Sequence, residues 1–319
     1  MKWFVDEARE FPERRLFQDA PSQSYLELSP ARECFIGRLI GELDCTDSPA
    51  DADFFLAPWL FNVLGVGSSP WYLEQTFSQV LRSLPAFEKS ASRHVLFFLG
   101  DTSHLPKCCS RSAVFMPSCR RGSGAFALPY FAEPPDRPPR PMSACAFDVG
   151  FQGATTTGGG LRERLVTALR SSSRYAVDCY PTAGYLYTTH DLDAQVRLTA
   201  RYRDHLDQCR FIACPRGDGL SSLRFFEALA WGRIPILMAD QTALPLEDII
   251  PYHEFVVRVP EADVENWEAW LDDFLTTTPD LERASHLAAE TSRSWFTIPA
   301  LHRLVMNCLI SRYTSRGHR

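Results

Sequence analysis

The residues best suited to chemistry lie in a short polar turn between two apolar segments, 211–214 and 234–238. The turn combines one arginine and one acid with glycine and hydroxyl side chains, at Arg216, Gly217, Asp218, Ser221 and Ser222. An arginine beside a helix N-terminus suits a phosphate, because exposed backbone amides and the guanidinium both attract anions. The plainer alternative makes Arg216 a surface residue paired with Asp218 or Asp240.

The elements around this turn are predicted to form a βαβ unit. Both apolar segments predict strands, and the second is apolar enough to be buried on both faces. The segment between them predicts a helix, which Ser221 or Ser222 caps and Gly232 ends. The turn then lies at the carboxyl end of a strand, where open α/β sheets bind ligands.

A second turn, rich in glycine and threonine, occupies residues 153–160. A strand is predicted before it, at 147–153, and a helix after it, at 161–169. Glycines allow backbone amides to approach an anion, so Gly158, Gly159 and Arg162 are candidate ligands of an anionic group. A flexible surface loop without a ligand is the alternative, because a glycine turn alone is weak evidence.

Length and composition restrict the class of protein. The chain has 319 residues, enough for about two average domains, and its net charge of −6 argues against a nucleic-acid surface. Its ten cysteines form no Cys-x-x-Cys pair, which favours reduced thiols over a disulfide framework. The N-terminus lacks the apolar core of a signal peptide, and no apolar run reaches the ~20 residues of a membrane helix. We therefore expect a cytoplasmic protein without a membrane span.

Six prolines between positions 129 and 141 mark the expected domain boundary. Proline has no backbone N–H and interrupts helices and ladders, so the segment predicts a stiff, extended connector. We expect an N-terminal domain at 1–140, a second domain at 141–300, and a C-terminal helix at 301–319 that packs back on the first domain. Alternating strands and helices predict parallel sheets, and hence an α/β fold with two Rossmann-like domains.

The remaining elements follow from apolar periodicity and from caps. In the first domain, a helix is predicted at 30–43, with Ser29 as its cap and Pro30 in its first turn, and a strand at 51–61 is predicted to end near Pro58. The other predicted strands are 3–5, 93–100, 114–116 and 175–179, and the other predicted helices are 71–84, 196–208 and 281–313, the last interrupted at Pro299.

The stretch 211–247 resembles the exostosin-type glycosyltransferase family. The similarity lies in the order of its parts, which are an apolar strand, Pro-Arg-Gly, small polar residues, Arg-Phe-Phe-Glu-Ala-Leu, Gly, Ile-Pro-Ile and Leu-Pro. Weaker similarity occurs at 44–59, 94–100 and 151–164. The resemblance covers most of residues 1–270 and is most specific in the C-terminal half. It implies GT-B architecture, in which two Rossmann-like domains face a central cleft.

The resemblance also implies an activity, which is transfer of a sugar from a nucleotide diphosphate donor to a glycan or glycoconjugate acceptor. UDP is the favoured nucleotide, the displacement is inverting, and neither a metal nor a cofactor is expected, because the nucleotide sugar is a substrate. The polar turn at 216–222 would hold the donor, with Glu227 accepting hydrogen bonds from the ribose. Gly158, Gly159 and Arg162 would lie near the donor diphosphate. A helix salt bridge to Arg224 is the alternative for Glu227.

An inverting transfer needs a base that takes the proton of the acceptor hydroxyl. In GT-B architecture this base comes from the N-terminal domain, where Asp101 and His104 follow the predicted strand 93–100. A turn in which the aspartate bonds its own backbone is the alternative. Two Asp-x-Asp triplets, 51–53 and 191–193, resemble metal-chelating triplets of another transferase fold, but a strand start and a helix N-terminus explain them better.

Two further classes of protein stay open. A nucleotide- or glycan-binding protein could keep this fold without catalysis, and the uncertain base leaves room for that. A dinucleotide-dependent enzyme is a third class, against which the absence of Gly-x-Gly-x-x-Gly after a first strand counts.

Overall fold

The computed structural model describes residues 1–7, 25–30, 34–64, 70–184 and 191–316. Tertiary contacts divide the chain into two units, of which unit 1 comprises Met1–Pro129, Gln241–Leu246 and Ile298–Arg319. Unit 2 comprises Tyr130–Asp240 and Glu247–Thr297. Each unit contains one mainly parallel sheet with helices, so the predicted α/β class with two Rossmann-like domains is confirmed.

The described part of unit 1 contains one six-stranded sheet. Its strands are β1 (Trp3–Val5), β2 (Tyr25–Pro30), β3 (Phe54–Leu64), β4 (His94–Gly100), β5 (Ala113–Met116) and β6 (Phe126–Ala127). The order is β1-β3-β4-β5-β6 with parallel pairing, and β2 pairs antiparallel with β3. The helices before the unit boundary are α1 (Phe35–Glu42), α2 (Pro70–Arg82) and α3 (Phe87–Ser90). The predicted strands at 3–5, 93–100 and 114–116 and the helix at 71–84 are confirmed.

Two proline-based predictions in unit 1 are wrong. Pro30 does not start a helix but ends β2, opposite Trp59 of β3, and α1 begins only at Phe35. Proline is tolerated there because a strand end at a sheet edge need not donate to the ladder. Likewise β3 continues through Pro58, because its pairing with β4 shifts register between Leu56 and Leu60. A register shift leaves room for a residue without an N–H.

Unit 2 contains a five-stranded, fully parallel sheet in the order β11-β10-β9-β7-β8. The strands are β7 (Phe147–Ala154), β8 (Val177–Thr182), β9 (Cys209–Pro215), β10 (Ile234–Met238) and β11 (Val257–Arg258). The helices are α4 (Leu161–Ser171), α5 (Leu192–Gln208), α6 (Leu223–Ala230), α7 (Trp267–Thr277) and α8 (Leu281–Trp295). The predicted βαβ unit is therefore confirmed as β9, α6 and β10, with every residue of β10 buried.

The last helix, α9 (Leu301–Arg316), follows a break at Pro299 and belongs to unit 1. The Arg312 guanidinium donates to the Ser112 carbonyl at 2.8 Å, and the Tyr313 hydroxyl donates to the Ser92 carbonyl at 2.7 Å. The C-terminal helix is thus fixed to the chain segment that leads into β4 and β5.

The proline-rich segment lies in unit 2, since the unit boundary falls at Pro129 rather than at position 140. Buried polar contacts explain this placement. The Asp207 carboxylate accepts a hydrogen bond from the Arg140 amide at 3.2 Å, and the Arg233 guanidinium donates to the Arg140 carbonyl at 2.9 Å. These contacts anchor the segment to α5 and to Arg233, the residue before β10, instead of leaving it as a free connector.

Two further properties concern the whole described chain. All ten cysteines carry free thiols. Among the helices that the structure describes, none is long and apolar enough to cross a membrane.

Candidate functional site

The two glycine-bearing turns meet at one edge of the sheet of unit 2. Because β7 and β9 are parallel neighbours, their carboxyl ends lie at the same edge. The Gly158 amide donates to the Asp218 carboxylate at 3.1 Å. A Cβ on Gly158 would lie 2.9 Å from the Arg216 carbonyl oxygen, and φ of Gly158 is +81°. Only glycine allows this approach without strain, so the two turns form one surface.

The buried side chain of Arg162 connects these two turns. Its side chain is buried, and its guanidinium donates to the Arg216 carbonyl and to the Ala154 carbonyl, both at 3.0 Å. Arg162 therefore holds the ends of β7 and β9 together, and its contact with a diphosphate stays a prediction. The neighbouring Gly159 is exposed, and Gly217 is half-buried with its carbonyl accepting from the Arg216 guanidinium at 3.0 Å.

Arg216 is paired with an acid that the sequence did not indicate. Its Nε lies 2.9 Å from Glu261 Oε2, and both side chains are about three-quarters buried, with exposures of 25% and 21%. Asp240 takes part indirectly, because its carboxylate accepts from the Glu261 amide at 3.1 Å. Asp218, the other expected partner, is exposed and holds the Gly158 amide instead. The phosphate contact of Arg216 stays a prediction.

Arg224 is a candidate site residue that the sequence did not indicate. It lies in the first turn of α6, its Nε donates to the Gln152 carbonyl at 2.7 Å, and its guanidinium lies 5.2 Å from the Phe151 ring centroid. A Cβ on Gly153 would overlap its Nη2 atom. Within the described residues no carboxylate forms an ion pair with Arg224. The signal in the sequence is its place in Arg-Phe-Phe-Glu-Ala-Leu, which is part of the stretch that resembles the exostosin-type family.

Two buried hydroxyls lie in the same turns. Ser222 and Thr157 are 3% and 6% exposed, and neither hydroxyl oxygen has a hydrogen-bond partner among the described residues. Ser222 occupies the N-cap position of α6 but makes no capping hydrogen bond, so the predicted cap contact is wrong although its position is right. An unsatisfied buried polar group costs about 1–3 kcal/mol, which a ligand oxygen would offset. Ser221 beside it is half-buried.

Glu227 is engaged from α5 rather than by Arg224. The Tyr202 hydroxyl donates to Glu227 Oε2 at 2.6 Å, and the alternative salt bridge to Arg224 is not formed. Burial raises the pKa of Glu227, while the Tyr202 hydrogen bond and the charge of Arg224 oppose this shift. One carboxylate oxygen is thus occupied, and acceptance from a ribose stays a prediction.

A partly buried polar network connects β7 with β8 and α5. Arg201 donates to Gln152 Oε1 and to Asp178 Oδ1, both at 2.8 Å, and His205 Nδ1 lies 2.7 Å from Asp178 Oδ2. Asp178, His205 and Cys209 place three potential metal-ligand atoms within 4.8 Å of one another. The sequence indicated none of these contacts. Since Gln152 also accepts from Arg224, the network supports the strand end that carries the turn.

This network predicts an acid-dependent loss of stability. The hydrogen bond from His205, opposed by burial and assisted by Arg201, lowers the pKa of Asp178 to about 2. A carboxyl whose pKa is lower in the folded state stabilises the protein above its unfolded pKa of about 4 and loses this contribution as the pH falls to about 2. Asp178→Asn should therefore be destabilised by about 2 kcal/mol at neutral pH.

Urea unfolding at several pH values checks this prediction. The difference between wild type and Asp178→Asn should shrink between about pH 4 and pH 2. Asp204→Asn, which changes an exposed acid one residue before His205, is the matched control and should show no such convergence. A pH-independent difference for Asp178→Asn would contradict the assigned role of its charge.

The predicted bases lie at the carboxyl end of β4 in unit 1. Asp101 is exposed and His104 is half-buried, and the His104 amide donates to the Thr102 hydroxyl at 3.2 Å, so a threonine organises this turn. Arg120, which follows β5, donates to the Ser103 hydroxyl at 3.4 Å and to the Gln241 side chain. The structure thus adds Arg120 to this loop, while the roles of Asp101 and His104 stay predictions.

The two Asp-x-Asp triplets have structural contacts. Asp53 accepts the Lys2 amide at 2.8 Å, and Asp51 ends a short 3₁₀ turn before β3. Asp191 caps α5 by accepting the Ala194 amide at 3.0 Å, with Asp193 in the first turn of that helix. The preference for a helix N-terminus at 191–193 is therefore confirmed.

Two plant proteins are similar to part of this chain. A probable glucuronosyltransferase of Oryza sativa subsp. japonica is 36% identical over 102 residues, which is 31% of this chain and 23% of that protein. The probable beta-1,4-xylosyltransferase IRX10 of Arabidopsis thaliana is 38% identical over 78 residues, which is 24% of this chain and 18% of that protein. The matched stretches thus span less than a quarter of these relatives.

Among solved structures, the pneumococcal O-GlcNAc transferase GtfA in complex with UDP and GlcNAc aligns over 82% of this chain and 45% of its own. The identity is 11% and the TM-score is 0.33, which is too low to support any inference.

Two Rossmann-like units, each with one mainly parallel sheet, define an α/β protein. In unit 2, two glycine-bearing turns lie at the carboxyl ends of neighbouring strands, an arrangement that suits an anion. The sequence pattern of the Exostosin GT47 domain matches residues 35–274, three quarters of the chain. The protein therefore belongs to the exostosin GT47 family, as the resemblance of its C-terminal half indicated.

Proposed function

We propose that this protein is a glycosyltransferase that moves a sugar from a nucleotide diphosphate donor, most suitably a UDP-sugar, to a glycan acceptor. The observation that carries the proposal is the edge of unit 2, where Arg224 forms no ion pair among the described residues. The buried hydroxyls of Ser222 and Thr157 lie beside it and have no hydrogen-bond partner in the described chain. Family membership supports it, as do the glucuronosyltransferase and xylosyltransferase names of the relatives.

The proposed role of this edge is to stabilise the leaving diphosphate. Negative charge develops on that group as the glycosidic bond breaks, and prearranged cations and amides lower its energy most in a site with little water. Arg224, Arg216 and the first amides of α6 supply such groups. These positive groups support a mechanism that needs no metal. Glu227 would accept from the ribose hydroxyls.

The proposed reaction is a single inverting displacement. The acceptor oxygen forms a bond to the anomeric carbon, the bond from that carbon to the diphosphate oxygen breaks, and a base receives the hydroxyl proton. Asp101 and His104 are the proposed bases.

The cytoplasmic location also stays a prediction.

A panel of UDP- and GDP-sugars, with release of nucleotide as the readout, tests this proposal. We expect release from at least one UDP-sugar in the presence of a glycan acceptor, unchanged by EDTA. Asp101→Asn or His104→Gln should lower turnover by about 10²–10⁴-fold, the contribution of a general base, without changing UDP affinity. Ser110→Ala, a change at an exposed residue after the same loop, is the control.

Two outcomes would contradict parts of this proposal. Tight UDP binding without turnover on any acceptor would favour a nucleotide- or glycan-binding protein. Turnover that EDTA abolishes would contradict metal independence.

A further inference from the structure

A cavity lies at the outer edge of the sheet of unit 2, beside the edge strand β11. Its volume is about 470 Å³, within the range of about 300–1,000 Å³ typical of small-molecule sites. The residues that give it chemical character are Glu247, His253, Arg258, Trp270, Asp273 and Phe274. None of them belongs to the two turns at the carboxyl ends of β7 and β9, so this cavity is separate from the proposed donor site.

One stripe of α7 forms a wall of this cavity. Trp270, Asp273, Phe274 and Thr277 are spaced by three, four and seven residues, which places them on one helix face. Phe274 is buried and its ring contacts Phe211 edge-on, with centroids 6.2 Å apart. The inner part of the stripe is therefore fixed in the core, and this holds the outer part in place.

Trp270 presents an aromatic surface to this cavity. It is one of the few large apolar side chains that are exposed, at 37%, and its indole N–H has no hydrogen-bond partner among the described residues. The face of an aromatic ring is negative, so it attracts polarised C–H groups such as those on the flat side of a pyranose.

The polar groups around Trp270 carry both signs of charge. Arg258 Nη2 lies 2.9 Å from Glu247 Oε1, with 43% of the Arg258 side chain exposed. That contact uses one of the five N–H donors of a guanidinium. The Asp273 carboxylate has no partner in the described chain and is exposed. Mixed donors and acceptors do not favour an anion or a cation, but they suit neighbouring hydroxyls, each of which donates and accepts.

We propose that this cavity is a binding site for an uncharged saccharide, in which a sugar ring stacks on Trp270 and its hydroxyls bond Arg258 and Asp273. A half-exposed aromatic wall with convergent polar groups is the chemistry that recognises such a ring. The identification of that saccharide as part of the acceptor chain rests on the proposed function. The site would hold a glycan at a distance from the reaction and so favour long acceptors over short ones.

Calorimetric titration of the full chain, saturated with UDP, with xylohexaose and cellohexaose tests the proposal. Trp270→Ala should weaken binding of the hexasaccharide by about tenfold or more, whereas Trp270→Phe, which keeps an aromatic face, should retain most of the affinity. Tyr180→Ala is the matched control, because Tyr180 is an exposed aromatic residue of unit 2, at 39%, outside the cavity. UDP affinity should be equal in all variants.

Two results would overturn the site, namely no binding of either hexasaccharide to the wild type, or equal binding by Trp270→Ala and Tyr180→Ala. Binding that depends on Trp270 in a protein that turns over no nucleotide sugar would leave this site standing and reject the proposed function. The reverse result, turnover without Trp270-dependent binding, would reject the site alone.

Discussion

Replacing Arg224 with alanine is expected to lower kcat/KM for the nucleotide sugar by about 10²–10³-fold, the loss typical of one prearranged donor to a developing oxyanion. Arg224, in the first turn of α6, is tied to the Gln152 carbonyl by its Nε, and its Nη2 lies where a Cβ on Gly153 would be. Its charge is not neutralised by an ion pair among the described residues, whereas Arg216 shares its charge with Glu261. A diphosphate should therefore gain more from Arg224 than from Arg216.

Two further variants distinguish the effect of the position of the Arg224 guanidinium from the effect of its charge. Gly153→Ala keeps the arginine but places a Cβ where its Nη2 lies, so it should displace the guanidinium and reproduce a large part of the loss. Arg224→Lys keeps the charge but loses the planar fork that bonds two oxygens at once, and should fall between wild type and alanine. Arg164→Ala, which removes an exposed arginine paired with Glu265, is the control.

Steady-state kinetics and UDP titration on the same preparations measure kcat, KM and UDP affinity for these variants. Because the leaving group is a diphosphate, UDP affinity and kcat should both fall in Arg224→Ala. Equal kinetics for Arg224→Ala and Arg164→Ala would show that the diphosphate binds elsewhere.

The sequence predicted the parts of this site that depend on neighbouring residues. The β9–α6–β10 unit, its helix stop at Gly232 and the glycine turn before α4 follow from signals within about a dozen residues, namely apolar runs, caps and glycines. Because a helix cap is also a local signal, the sequence indicated Ser222 as a candidate N-cap residue of α6. It did not indicate that the Ser222 hydroxyl would be buried without a partner, because that depends on the chain packed around it.

Local signals of this kind do not predict contacts between residues that lie far apart in the sequence. Arg216 pairs with Glu261, and Glu227 with Tyr202, across 45 and 25 positions of sequence. The role of Arg224 depends on Gln152, which lies on a different strand. Pro30 illustrates the same point for the fold, since pairing with β3 outweighed the local preference for a helix start.

Buried charge gives the largest expected effect on stability, at Arg233. Its side chain is fully buried, and its guanidinium donates to the carbonyls of Leu206, Asp207 and Arg140 at 2.7, 2.8 and 2.9 Å. It also lies 3.6 Å from the Asp207 carboxylate. Arg233→Met would fill a similar volume but leave the three carbonyls without this donor and remove the buried cation beside the Asp207 carboxylate. Removal of one partner of a buried pair costs about 3–5 kcal/mol.

Arg137→Met is the matched control for this change. Arg137 bonds the same Asp207 carboxylate at 3.0 Å, but its side chain is 70% exposed, so the loss should stay below about 1 kcal/mol. Arg233→Lys restores the charge without the planar fork that reaches three carbonyls, and should recover only a part of the stability. Urea unfolding of the full chain, followed by circular dichroism, measures all three variants.

The outcome decides what holds the proline-rich segment on unit 2. If Arg233 does so, Arg233→Met should also expose the segment at 130–141 to proteolysis, because the Arg140 carbonyl loses its donor. Equal stability and equal cleavage of Arg233→Met and Arg137→Met would mean that proline stiffness and the Arg140 amide contact with Asp207 suffice. The buried guanidinium would then be a tolerated charge rather than the anchor of this segment.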